Sequence, residues 1–391
     1  MEAYIVAGYR TAVTKSKKGG FRFYRPDDLA VEVINKLMAT VPQLEKERVD
    51  DLIVGNAVPE AEQGLQIGRM ISVRALGIHA PGVTVNRYCA SGLETIAIAT
   101  AKIRAGMADC IVAGGVESMS MVPMMGWKPS PAYSVASETP DYYVGMGLTA
   151  EAVAKEYNVS REDQDAFSYR SHQRALNAIK NGYFTSGIMP ITVEQTYLDK
   201  NNKIQKKSYV VDTDEGPRAD TSLEVLSKLK PVFAAGGSVT AGNSSQTSDG
   251  AAFTIVMSEK MMNELGLKPI ARIVNCVCGG VHPRVMGLGP IEAVPRVLKR
   301  AGMTLNDIDL VELNEAFASQ SLAVIRTLGL DPERVNINGG AIALGHPLGC
   351  TGAKLTVQII HDMKRLNKKY GIVTACVGGG QGIAGIIENL S

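Results

Sequence analysis

What most constrains this chain is that its plan occurs twice. Asp51-Leu52-Ile53-Val54-Gly55-Asn56 and Asp309-Leu310-Val311-Glu312-Leu313-Asn314 are both strand-like runs that end in asparagine. From Asn56 to Cys89 is 33 residues, and from Asn314 to His346 is 32. Cys89 and His346 each stand in a turn after a further strand-like run, Val83 to Val85 and Val335 to Asn338, and a helical pattern follows each. Ile111-Val112-Ala113-Gly114-Gly115 then corresponds to Ile372-Val373-Thr374-Ala375-Cys376. Three correspondences in one order at near-equal spacing mark an internal duplication. Alternating strands and helices predict a mostly parallel sheet covered by helices. The expected fold class is therefore α/β, built from duplicated βαβαβ halves whose sheets enclose buried helices in five layers, α-β-α-β-α. The Ala-rich run from Ala97 to Ala101 suits a helix buried on both sides.

Between the halves lies a stretch with a different character. Residues 119–145 are rich in Met, Pro, Ser and Tyr and read as irregular loop. A helix is expected from Arg161 to Asn181, with Ser160 and Asp163 as a capping box and Gly182 as its stop. Ile191 to Tyr197 and Lys203 to Val211 read as a hairpin across the polar turn Asp199-Lys200-Asn201-Asn202. The expected organisation is an N-terminal half over 1–118 plus 249–270, an inserted lid-like subdomain over 119–248, and a C-terminal half over 271–391. Excursions of this length are usually binding loops or lids.

Composition narrows the class. With 391 residues the chain exceeds one typical domain. Its 41 basic and 39 acidic residues give no field that would attract nucleic acid. Six cysteines in so long a chain make no disulfide framework and suggest a reducing compartment. The start, MEAYIVAGYRTAV, lacks the charged and apolar regions of a signal peptide, and no apolar run is long enough to span a membrane. A cytoplasmic location is expected.

Four stretches carry chemistry. In Val85-Asn86-Arg87-Tyr88-Cys89-Ala90-Ser91-Gly92 a cysteine sits at a helix N-terminus, whose partial positive charge and free N–H groups favour thiolate over thiol. In Gly339 to Ala353 a glycine-dense loop presents one histidine, His346, at the position matching Cys89 in the other half. In Ala375-Cys376-Val377-Gly378-Gly379-Gly380-Gln381-Gly382 a second cysteine adjoins bare backbone whose N–H groups suit an oxyanion hole. Asn314-Glu315-Ala316-Phe317 closes a strand. Other candidates are weaker. Cys276-x-Cys278 places both side chains on one face of a strand and reads as core, not metal site. Cys350 reads as packing near the site, and His172 as a surface residue on a polar helix. No zinc spacing, P-loop or dinucleotide fingerprint occurs.

These four stretches resemble the thiolase family, enzymes that cleave or form 3-ketoacyl-CoA, and the resemblance runs from the first strand to the last few residues. It implies CoA as co-substrate with no permanently bound cofactor and no metal. Cys89 would be the acylated nucleophile. His346 would lower the Cys89 pKa and, with a water held by Asn314, line one oxyanion hole. Cys376 would be the acid/base, and the N–H groups of Cys89 and Gly378 would form a second oxyanion hole. The stretch Val239 to Ala252 resembles the family's pantetheine site and offers Ser245. Asp214 to Arg218 resembles the segment near the CoA nucleotide, with Arg218 its contact. Phe233, Met146, Met286, Ala316 and Phe317 would complete the binding surface. Asn243-Ser244-Ser245-Gln246, and Gly145 before Met146, look more like the degradative, broad-chain-length 3-ketoacyl-CoA thiolases of β-oxidation than like the biosynthetic acetoacetyl-CoA enzymes. The resemblance implies a homodimer or homotetramer, and a hydratase/dehydrogenase partner would add to the assembly without changing the chemistry. A condensing enzyme of the ketoacyl synthase type would have His or Asn at Cys376 and lack the insertion. A silent lipid-binding or scaffold relative would have lost Cys89, His346 or Cys376.

Overall fold

The computed structural model describes all 391 residues. In the N-terminal half the strands Gly82–Val85, Asp51–Gly55 and Cys110–Ser118 run parallel. Ser248–Ser258 and then Ala3–Arg10 complete this half of the sheet antiparallel to their neighbours. The C-terminal half repeats the order. Leu310–Leu313 lies parallel to Tyr370–Val377, and Gln381–Asn389 and Ala271–Gly280 follow antiparallel. The expected strand at Val335 to Asn338 is reduced to a single bridge from Val335 to Val311. The backbone turns at Asn336, whose φ is +47°, and the Asn336 side chain bonds both the N–H and the C=O of Leu313 instead. The two halves are not separate sheets. They join edge to edge through one pair, Ile5 with Ala271, into a single ten-stranded array.

Side-chain alternation along the strands sorts the core into layers. Val112 and Val116 face outward with Phe253 against the helix Pro26–Ala39, whereas Ile111 and Ala113 face inward with Val256. The inward residues meet Val373, Ala375 and Ile383 of the other half across two central helices, Ser91–Arg104 and Leu348–Leu366. The second outer face, with Ile372, Ala384 and Ile386, is covered by Gly289–Ala301 and Ala318–Leu328. Five layers result, as the duplication implied.

The central helices touch backbone to backbone because glycine stands where they cross. A methyl group on Gly92 would lie 2.5 Å from the Ala353 nitrogen, and one on Gly352 would lie 2.3 Å from the Leu93 nitrogen. That crossing sets the site, since Cys89 precedes one helix and His346 precedes the other.

The region 119–247 lies over this core. Its first part is less irregular than composition suggested: a short helix, Tyr133–Glu138, and a 3-10 turn, Pro140–Tyr143, interrupt the loop. The helix Arg161–Lys180 begins with the Ser160 hydroxyl accepting the Asp163 N–H and ends at Gly182, φ +69°. The box is only half made, because the Asp163 carboxylate bonds Arg326. The hairpin pairs Ile191–Leu198 with Ile204–Val211. No helix is long and apolar enough to cross a membrane.

Candidate active site

Cys89 lies in the 3-10 turn Tyr88–Ala90 that leads directly into the helix Ser91–Arg104. The turn is held open against its preference: Tyr88 has φ +44°, a region costly for a bulky side chain. Three bonds hold it there. The Asn86 side chain accepts the Tyr88 N–H and donates to the Ala57 carbonyl, and Ser91 Oγ accepts the Arg87 N–H. Cys89 is 2 % exposed. Its sulfur faces its own N–H and that of Gly378, the two donors expected of an oxyanion hole.

His346 follows Gly345, where φ is +95° and a Cβ would lie 2.2 Å from Ser248 Oγ; only glycine fits. The His346 N–H donates to the Gln246 carbonyl. The imidazole is fixed at both nitrogens. Thr351 Oγ1 donates its proton to the Pro347 carbonyl at 2.9 Å, so at 2.6 Å from His346 Nδ1 it accepts. Nδ1 therefore carries the hydrogen and Nε2 the lone pair, with Asn314 Nδ2 3.3 Å away. Asn314 Oδ1 is buried without a protein partner. Removing the Thr351 acceptor frees the wrong tautomer. Thr351→Val is expected to lower kcat about a hundredfold, the lower end of what a positioned base contributes, with KM little changed in steady-state assays.

Cys376 is the penultimate residue of the strand Tyr370–Val377 and is fully buried; a negative charge on Cys89 is close enough to raise its pKa. Burial dominates the electrostatics of all three groups. It pushes the Cys89 thiol up to about 12 despite the two N–H donors, and the Glu117 charge adds to that rise. It pushes the Cys376 thiol above its ordinary value. It pushes His346 down to about 3, helped by the positive charge of Lys354. Helix polarity and the N–H donors, which favour thiolate, do not offset the loss of water around the sulfur. Both shifts favour the neutral forms, a thiol at Cys89 and an uncharged imidazole at His346.

Most of the residues expected to bind substrate gather around Cys376. Met146, Met286, Ala316, Phe317 and Cys376 share one apolar cluster with Ala150 and Val239. Phe233 packs edge-on to Phe317, ring centres 6.0 Å apart, and remains half exposed. Ser245 donates its N–H to the Ala316 carbonyl, and the segment around it bridges Phe317 on one side and His346 on the other. Arg218 is not drawn in: its guanidinium is exposed and pairs with Asp220. Its backbone N–H donates to His172 Nδ1. His172 is therefore a buried loop support, not a surface residue, and burial with the Arg218 charge pushes it down to about 4. Cys350 is buried in the central core. Cys276 and Cys278 pack at the edge of that core beside Glu94 and Arg87, and no group of three or more His, Cys, Asp or Glu residues could hold a metal ion.

Family comparison assigns this arrangement. The thiolase N-terminal domain matches residues 3–260 and the thiolase C-terminal domain residues 267–389. The chain belongs to the thiolase family. It is 53 % identical to a 3-ketoacyl-CoA thiolase of Bacillus subtilis (strain 168) over 99 % of both chains. It is 41 % identical to an acetyl-CoA acetyltransferase of Escherichia coli (strain K12), again over 99 % of both. The crystal structure of the Bacillus anthracis acetyl-CoA acetyltransferase matches with a TM-score of 0.89 at 39 % identity, covering 100 % of this chain and 99 % of that one. The enzyme is thus an acyltransferase acting between acyl-CoA thioesters, with CoA as co-substrate. Sequence reading missed Thr351, although its place in the first turn of the histidine helix was a usable signal. It also missed Glu117, whose partners come from distant loops.

Proposed function

We propose that this thiolase works in the degradative direction, cleaving 3-ketoacyl-CoA with CoA to acetyl-CoA and a shortened acyl-CoA, on acyl chains longer than acetoacetyl, in β-oxidation. The observation that carries the mechanism is the fixed His346 tautomer, whose unprotonated Nε2, held by the Asn314 amide, makes it a base. Cys89 Sγ attacks the 3-keto carbon as its proton passes to His346. The tetrahedral oxyanion is stabilised by the N–H groups of Cys89 and Gly378. The carbon–carbon bond then breaks to release the acetyl-CoA enolate, whose oxygen lies between His346, now protonated, and a water held by Asn314. Cys376 delivers a proton to the enolate carbon. In the second half-reaction the Cys376 thiolate takes the proton of incoming CoA, whose sulfur attacks the acyl-Cys89 thioester; Cys89 leaves as thiolate and regains its proton from His346, which restores the enzyme.

For binding, Ser245 would meet the pantetheine arm, Met146, Met286, Ala316, Phe317 and Phe233 its apolar surroundings, and exposed Arg218 the nucleotide. The degradative assignment rests on Asn243-Ser244-Ser245-Gln246 and on Gly145 before Met146. The domain division proposed is 1–118 with 249–270, 119–248, and 271–391; the return of Ser248–Ser258 into the N-terminal half of the sheet supports it. A homodimer or homotetramer of a cytoplasmic enzyme is proposed with it, and Gly82–Val85 is a sheet edge open to a second copy. The test is CoA-dependent cleavage of a 3-ketoacyl-CoA series from acetoacetyl to long chains. We expect kcat/KM to rise beyond acetoacetyl-CoA. Cleavage confined to acetoacetyl-CoA would make the enzyme an acetyl-CoA acetyltransferase of the biosynthetic kind.

A further inference from the structure

Glu117, the penultimate residue of the strand Cys110–Ser118, is fully buried, yet every neighbour of its carboxylate is a donor. Oε2 accepts the N–H of Ala57 at 2.8 Å and of Gly349 at 2.8 Å. Oε1 accepts Gln63 Nε2 at 2.7 Å and Asn56 Nδ2 at 3.3 Å. Neither amide can be reversed. Gln63 Oε1 is taken by the Ser118 N–H, and Asn56 Nδ2 also donates to the Val116 carbonyl. Burial raises its pKa, but with donors on every side and no acceptor the carboxylate has nowhere to place a proton, which favours the ionised form.

The loops it joins belong to different halves. Ala57 shares one small buried cluster with Cys89, Met119 and Leu348, and its carbonyl holds Asn86 of the Cys89 turn. Gly349 lies three residues beyond His346, and a Cβ there would fall 2.6 Å from Asn56 Cα. We propose that Glu117 is a positioning residue for the Cys89–His346 pair: one buried anion clamps the loop backing the nucleophile to the loop carrying the base. Besides setting the geometry, its negative charge opposes premature ionisation of the nearby thiol, so the Cys89 proton leaves only when His346 can take it.

This inference rests on the reading of Cys89 as nucleophile, and the test separates the two. Two quantities are measured: steady-state thiolysis, and the rate of Cys89 alkylation by iodoacetamide against pH, located by peptide mass. Glu117→Gln keeps the volume but removes the charge and turns an amide N–H₂ toward donors. It is expected to lower kcat by about a hundredfold, the effect of a misplacement near 1 Å, with KM within threefold. The log rate of Cys89 alkylation should move to lower pH by about one unit, because an anion near the sulfur is gone. Glu117→Asp keeps the charge but is too short to reach all four donors, so kcat should fall about tenfold while the alkylation line stays in place. The proposal is overturned if either variant keeps kcat within threefold, or if both accelerate alkylation alike, which would signal simple loosening. Should Glu117→Gln not fold, the Asp variant still decides on kcat. A wild-type enzyme in which Cys89 resists alkylation at every pH would remove the nucleophile reading itself.

Discussion

Cys89→Ala and Cys376→Ala are each expected to lower 3-ketoacyl-CoA thiolysis by more than about 10⁴-fold, the scale on which loss of one member of a concerted catalytic group is felt. They should fail at different steps. Without Cys89 nothing accepts the acyl group, so incubation with acyl-CoA leaves the protein mass unchanged. Without Cys376 the nucleophile and base remain, and the leaving group in simple transfer from acyl-CoA is a thiolate stable enough to depart unaided. The Cys376→Ala protein should therefore gain one acyl group on the Cys89 peptide and release one CoA, yet cleave no carbon–carbon bond, because the enolate carbon receives no proton. Intact-mass and peptide-mass spectrometry read both. Thiolysis by Cys376→Ala within tenfold of wild type would show that another group protonates the enolate.

The resting charge state makes that division sharper. Burial holds the Cys89 thiol up near 12 and the imidazole down near 3, so neither group changes charge in the free enzyme between those limits. In the mechanism we propose, the thiolate and imidazolium arise together during attack, where the oxyanion donors of Cys89 and Gly378 offset the cost of creating charge in a dry site. Helix polarity, which the sequence does display, acts only at that moment.

Much of this was legible in residue order because duplication writes topology directly. The strands leading to Cys89, the helix behind it and the matching His346 loop all stand where spacing put them. The failures share one cause: a residue's surroundings come from chain far away. Val335 to Asn338 has strand composition, but Asn336 finds better partners at Leu313 by turning. The helix Arg161–Lys180 is polar enough to read as surface. Gln164, Ser168, Ser171 and His172 are nonetheless buried. Ser171 bonds Glu315 and the Gly340 N–H, and His172 the Arg218 N–H, so these side chains satisfy loop backbone that water cannot reach. Glu117 and Thr351 act through bonds to loops or carbonyls that no spacing rule lists together.

The glycine crossing of the two central helices carries the second large effect, Gly352→Ala. Elsewhere in a helix this change is favourable, by roughly 1 kcal/mol of propensity. Here the added methyl would sit 2.3 Å from the Leu93 nitrogen and 2.8 Å from Leu93 Cβ, and backbone cannot move aside as a side-chain tip can. The helices Ser91–Arg104 and Leu348–Leu366 must separate, against inward-facing residues of both half-sheets. Overpacking of this kind costs about 3 kcal/mol. In a chain of this size the thermal midpoint should fall by roughly 4 °C. Activity should suffer more than stability suggests, because the same helices begin at Cys89 and His346. Spreading their crossing moves nucleophile from base, and kcat should drop about a hundredfold at temperatures where the protein remains folded. Gly280→Ala, where a Cβ meets nothing within 4 Å and φ is ordinary, should change neither quantity. A Gly352→Ala enzyme with lowered midpoint but unchanged kcat would mean that the loops, through Glu117 and Thr351, hold the catalytic pair together independently of the helices beneath them.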